Sequence, residues 1–117
     1  MKLYKNLPLK DILYYKIGGN AKFLLKIENK ESLLRALDFI QKEKPKRVLP
    51  IGLGSNLLVN DEFFDGAVLW FSTSSKNEII QKDSGLIEAF SSVLLDDLIQ
   101  FCFSKNLIGL EWAGGLP

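Results

Sequence analysis

A stretch of helical periodicity between two short apolar runs constrains the fold more than any other feature of this chain. From Glu31 to Lys44 the residues Leu33, Leu34, Leu37 and Ile40 recur at three- and four-residue spacing, with charges on the other face. This spacing predicts an amphipathic helix. Asn29 can cap it, because a side-chain oxygen there accepts an orphan N–H of the first turn, and Pro45 cannot continue it. The flanking runs, "FLLKIE" (Phe23 to Glu28) and Val48 to Ile51, have strand character. Leu57 to Val59 resumes an extended apolar run. "NDEFFDG" (Asn60 to Gly66) then carries turn chemistry, with a turn predicted at Asp65-Gly66 before a strand from Ala67 to Phe71.

Ser72 to Lys76 reads as loop, and Glu78 to Gln81 with Leu86 to Phe90 reads as a hairpin about Asp83-Ser84-Gly85. A second helix is predicted from about Leu94 to Lys105. Ser92 is its expected cap, and Asp96 and Asp97 suit its positive end. Leu95, Leu98, Ile99, Cys102 and Phe103 form its expected buried stripe, and Asn106 is expected to stop it in a left-handed conformation. The order strand, helix, strands, helix reads as α/β or α+β.

Composition removes several function classes. The formal net charge is +1, so no global field recruits nucleic acid or an acidic membrane. The densest basic cluster, Lys42 to Arg47, lies at the predicted end of the first helix, where cations oppose the helix dipole. There is no histidine, which takes away the commonest metal ligand and the commonest general base, so no metal site is expected. The single cysteine, Cys102, sits in an apolar helical pattern and reads as a buried structural thiol. No run approaches the roughly 20 apolar residues of a membrane span. Met1 to Lys10 lacks the apolar core of a secretory signal. A cytoplasmic location is the expectation.

The chemistry-bearing candidate is "IGLGSNLL", Ile51 to Leu58. Glycines between two strands can serve a turn, or they can let backbone N–H groups approach a pyrophosphate closely, with Ser55 and Asn56 adding donors. Two familiar phosphate loops are excluded. The dinucleotide fingerprint needs a third glycine where Leu57 stands, followed by a helix start, and the triphosphate loop needs Gly-Lys-Ser/Thr. What remains is a Gly-x-Gly-Ser-Asn loop with a second glycine turn, Gly114-Gly115-Leu116-Pro117, about sixty residues later. Two such turns could clamp one pyrophosphate from opposite sides.

Three blocks carry a family resemblance: "YKIGGNAKFLLKIENKESLLRALDFIQ" (Tyr15 to Gln41), "VLPIGLGSNLLVNDEFFDGAVLWF" (Val48 to Phe71) and "LIGLEWAGGLP" (Leu107 to Pro117). In that order they resemble the N-terminal part of the FAD-binding domain of the UDP-N-acetylenolpyruvoylglucosamine reductase family, also called UDP-N-acetylmuramate dehydrogenases. The resemblance runs from about Tyr14 onward. It implies an α+β fold: the N-terminal portion of an FAD-binding domain of the PCMH/vanillyl-alcohol-oxidase type, in two small α/β subdomains, about 1–71 and 72–117. It also implies NADPH-dependent, FAD-mediated reduction of UDP-N-acetylglucosamine-enolpyruvate to UDP-N-acetylmuramate, in peptidoglycan synthesis. The cofactors implied are FAD, with NADPH as electron donor, and the partner is a small UDP-sugar substrate.

Position by position, the resemblance assigns FAD binding to Gly52, Leu53, Gly54, Ser55, Asn56 and Leu57, and to Gly114, Gly115, Leu116 and Pro117. Ile17-Gly18-Gly19 matches a block near the cofactor, and equally reads as a strand-entry turn. Phe90 and Ser92 stand where the family has glycines. The family's proton-donating serine, catalytic glutamate and catalytic arginine lie in later sequence, so no residue here is assigned as catalytic. Glu111, beside Trp112, reads as structural. Stopping inside a Gly-Gly turn, the chain reads as a truncated piece without turnover of its own. Two other functions fit the residues: another FAD oxidoreductase of the same fold, such as a sugar or hydroxy-acid oxidase, or a non-catalytic module that has lost the cofactor.

Overall fold

The computed structural model describes residues 1–72, 78–83 and 85–116. It is a small mixed α and β structure in two compact units, Met1–Ser72 and Thr73–Pro117. In the first unit the strands are β1 (Lys2–Pro8), β2 (Asn20–Ile27), β3 (Val48–Ile51) and β4 (Phe64–Phe71), and the helix is α1 (Lys30–Glu43). The sheet order is β1-β2-β4-β3. β2 and β3 both run parallel to β4, and β1 is antiparallel to β2.

Local chemistry accounts for α1. The Asn29 side chain accepts from Ser32 N–H at 2.8 Å, and Ser32 Oγ accepts from Asn29 N–H at 2.9 Å, which satisfies orphan donors reciprocally. Such a cap is worth about 1 kcal/mol. Lys44, left-handed at φ 45°, closes the helix through its N–H to Ile40 O, and Pro45 follows. The buried positions of α1 are the small Ser32 and Ala36, which let the helix approach the sheet closely, with Phe39 edge-on to Phe23 of β2 at 5.2 Å. Leu34 and Leu37 of the predicted apolar stripe remain 55% and 43% exposed.

The core on one side of the sheet is Leu9, Leu13, Ala21, Leu24, Ile51 and Val68. Leu57 and Val59 pack against it while Leu58 is exposed, the alternation of an extended segment. Parallel neighbours need a long crossover. Here residues 52–63 make it without a helix, returning from the end of β3 to the start of β4.

The turn expected at Asp65-Gly66 is instead the start of β4. A Cβ on Gly66 would lie 2.7 Å from Arg47 O and 2.6 Å from the Phe64 ring, so glycine serves close strand approach at this position. Asp65 lies between Lys46 Nζ at 2.7 Å and Lys22 Nζ at 3.0 Å. Its hydrogen bonds to Lys46 and then Lys22 hold the carboxyl at about 2, below the usual 3.8. Between those two values the unfolded chain binds the extra proton, so this contribution is present above about pH 3.8 and is lost as pH falls through about 2. Asp65→Asn is therefore expected to flatten the stability–pH profile of acid unfolding across that window. An unchanged slope would remove the lysine clamp from the account.

In the second unit, β5 (Ile79–Asp83) and β6 (Leu86–Ala89) form the predicted antiparallel hairpin, with Ser84 outside the described residues. The predicted loop Ser72 to Lys76 also lies outside them, apart from Ser72. α2 (Leu95–Ser104) begins at the N-cap Leu94, which makes no side-chain cap. Ser92 is therefore not the cap: it is too far upstream, and its buried Oγ has no hydrogen-bond partner among the described residues. Ile99 and Cys102 are buried as expected, but Phe103 is 46% exposed. Cys102 lines an apolar cavity of about 450 Å³ with Leu86, Ile87, Leu98, Leu107 and Leu110. Asn106 is left-handed at φ 56°, as its position predicts.

Candidate functional site

Gly52 follows Ile51 at the carboxyl end of β3. Ile51 pairs with Trp70 of β4, and Trp70 pairs with Lys26 of β2, so the ends of three parallel strands share this edge. In open sheets with parallel strands, ligands bind beyond the carboxyl ends of the strands. The predicted loop thus occupies the edge where such a fold places a site.

Each glycine near this edge can be tested by asking what a methyl group would meet. At Gly19 a Cβ would lie 2.2 Å from Glu62 O and 2.3 Å from Asp61 O. Gly18 has φ +142°, and its N–H donates to Asp61 Oδ1 at 3.1 Å, while Gly19 N–H donates to Asn60 O at 3.0 Å. Packing at the entry to β2 thus gives Gly18 and Gly19 a reason to be glycine, while Ile17 beside them is 46% exposed. Gly54 has φ +71°, and its Cβ would lie 2.9 Å from Leu13 Cδ2 and 3.0 Å from Ile12 O. Packing explains Gly54 too.

Gly52 is different. Its φ is not in the left-handed range, and a Cβ there would meet nothing within 4 Å. Neither backbone conformation nor the chain's own packing asks for glycine at this position.

The loop also keeps its donors. Among the described residues, no backbone N–H from Gly52 to Leu57 is paired with an acceptor of the chain, whereas Gly54 O accepts from Tyr14 N–H at 3.1 Å. Gly52 and Asn56 are exposed, Leu53 is 41% exposed, and Ser55 is half-buried. Leu57 turns its side chain to the core. Gly54 is itself buried and Leu57 is part-buried against the core, so the loop is held at both points while its N–H groups stay without an acceptor among the described residues, donors that an anion could take.

The second predicted turn lies in the second unit. Gly114 closes the short 3-10 turn Glu111–Ala113, and Gly115, at φ +82°, donates its N–H to Asp96 Oδ1 at 3.2 Å. Gly114 and Leu116 are exposed, and Pro117 lies outside the described residues. Glu111 accepts from Gly109 N–H at 2.7 Å, and Trp112 Nε1 donates to Gly109 O at 3.1 Å. The Glu111 carboxylate thus braces its own turn. Phe90 N–H donates to Glu78 O and Phe90 O accepts from Val93 N–H, so its backbone is committed to the fold. Among the described residues no helix is long and apolar enough to cross a membrane.

No protein-family model matches the chain. Individual curated proteins do. A UDP-N-acetylenolpyruvoylglucosamine reductase of Treponema denticola is 38% identical over 119 residues, covering all of this chain and 36% of the relative. The protein of that name from Prochlorococcus marinus is 36% identical over all of the chain and 40% of its own length. The chain is related to the UDP-N-acetylenolpyruvoylglucosamine reductases. A third such reductase, from Caldicellulosiruptor saccharolyticus, is 32% identical, again over the full chain and 36% of the relative. The chain thus spans between a third and two-fifths of the length of these reductases. The reductase-like blocks fall in both units, Tyr15 to Gln41 and Val48 to Phe71 in the first and Leu107 to Pro117 in the second.

Proposed function

We propose that this chain is the N-terminal part of a flavin-dependent oxidoreductase that reduces UDP-N-acetylglucosamine-enolpyruvate with NADPH in peptidoglycan synthesis, and that it carries part of the FAD site. The fold proposed is the corresponding portion of an FAD-binding domain of the PCMH/vanillyl-alcohol-oxidase type. The observation that supports this most is the loop Gly52 to Leu57, whose N–H groups have no acceptor among the described residues and whose Gly52 has no reason among them to be glycine. The relatives' shared name supplies the reaction class.

The residues fit the pyrophosphate of FAD. Gly52 admits a phosphate against the backbone, the N–H groups through Leu57 supply donors without a competing acceptor, and Ser55 and Asn56 add side-chain donors. Gly114, Gly115, Leu116 and Pro117 are proposed, on the resemblance alone, as further FAD-binding residues. Bound flavin would supply the redox chemistry, while the protein binds, orients and excludes water. No proton-transfer group is assigned within this chain, so turnover is proposed to need residues outside it.

The test uses the longest reading frame that contains this sequence. Purified protein should show flavin absorbance and consume NADPH only when the enolpyruvyl UDP-sugar is present. A flavoprotein that turns over with oxygen and a sugar or hydroxy acid would favour the oxidase reading. A colourless protein that rejects added FAD would sink both.

A further inference from the structure

The segment between β1 and β2, tied to the glycine loop by a backbone bond, carries two exposed aromatic rings. Leu9 and Leu13 anchor it, at 0% and 1% exposure in the core. The next residue, Tyr14, donates its N–H to Gly54 O at 3.1 Å, which ties the segment directly to the loop. Lys16 closes it in the left-handed conformation, φ 57°, with its N–H on Leu13 O at 3.3 Å. A left-handed lysine carries a conformational cost that the surrounding structure must sustain, and such positions cluster at functional sites.

Between these anchors Tyr14 is 74% exposed and Tyr15 is 54% exposed. Their rings meet edge to face, with centroids 5.9 Å apart and planes at 85°. Neither belongs to the core cluster of the first unit. In this geometry one ring packs against the other while both residues stay more than half exposed, and the backbone beneath is held by the buried Leu9 and Leu13. Rigid exposed aromatics are a usual platform for flat heteroaromatic ligands, because stacking needs a face and little else.

We propose that Tyr14 and Tyr15 form the stacking platform for a planar ring of the dinucleotide whose pyrophosphate lies on Gly52 to Leu57. This inference rests on the FAD reading of the loop. A dinucleotide has a ring at each end, so the purine and the isoalloxazine share the required chemistry.

The probes that separate them are FAD, ADP, FMN and inorganic pyrophosphate, titrated calorimetrically against the longest reading frame containing this sequence. Tyr14→Ala or Tyr15→Ala is expected to weaken FAD binding about tenfold. The matching phenylalanine variant should restore it, with an unchanged unfolding midpoint and unchanged pyrophosphate binding. A parallel loss for ADP assigns the purine, and a parallel loss for FMN assigns the isoalloxazine. Either supports the platform. The platform is overturned if both alanine variants bind FAD as the wild type does. It is equally overturned if pyrophosphate binding falls in step with FAD, because the tyrosines would then only shape the loop. Wild-type protein that binds no FAD contradicts the parent reading, and the platform with it.

Discussion

Gly19→Ala is expected to unfold the first unit or to destabilise it by about 3 kcal/mol or more, near the severe end of single substitutions. The new Cβ would stand 2.2 Å from Glu62 O and 2.3 Å from Asp61 O, and neither contact is the movable end of a side chain. Relief requires backbone movement at residues 60–62, which would break the Gly19 N–H bond to Asn60 O and the Gly18 N–H bond to Asp61. It would also disturb Leu9 N–H, which donates to Gly19 O at 2.9 Å and holds the segment over the core. Urea denaturation followed by tryptophan fluorescence, with Trp70 in the first unit, checks this. A midpoint within error of the wild type would mean that the strand-entry packing is not as described.

Gly52→Ala is expected to do the reverse: to leave stability unchanged within about 0.5 kcal/mol and to weaken FAD binding at least about tenfold. Its methyl group would occupy open space in the folded chain, with no atom within 4 Å. The same methyl group would stand between the backbone and an approaching phosphate, where contact distance sets the strength of the N–H···O bonds. Gly54→Ala is the informative companion. It should lose stability, because its Cβ meets Leu13 and Ile12 O and its φ is +71°. Equal losses of stability at Gly52 and Gly54 would show that both glycines serve only the turn.

These contrasts show what the sequence could reveal. α1 was legible because its signals are local: a cap at Asn29, a period, and a stop at Pro45. The β5–β6 hairpin was legible for the same reason. β1 was not, because Lys2 to Pro8 is largely exposed and its strand character comes from pairing with β2, some twenty residues away. Asp65-Gly66 carried a genuine turn signal that lost to tertiary forces: two lysines holding the carboxylate, and the Arg47 carbonyl pressing on the glycine. Ser92 looked like a cap because it precedes an apolar period, but α2 starts two residues too late for its hydroxyl to serve.

At the candidate site the glycines were visible in the sequence and their reasons were not. Gly18-Gly19 and Gly52-x-Gly54 look alike as letters. Only the walls around them separate glycines demanded by carbonyl oxygens and leucines from the one that faces open space. The tyrosine pair was equally hidden, because its link to the loop is a backbone bond from Tyr14 to Gly54 across forty residues of sequence.

The most direct test of the central claim follows backbone amide resonances of isotope-labelled protein, the longest reading frame containing this sequence, as FAD is added. The N–H signals of Gly52 to Leu57 should shift strongly, and inorganic pyrophosphate should compete for them. Those of Gly18 and Gly19, already paired to Asp61 and Asn60, should move little. Loop amides that stay in place as FAD saturates the protein, or that shift no more than Gly18 and Gly19, would contradict the account.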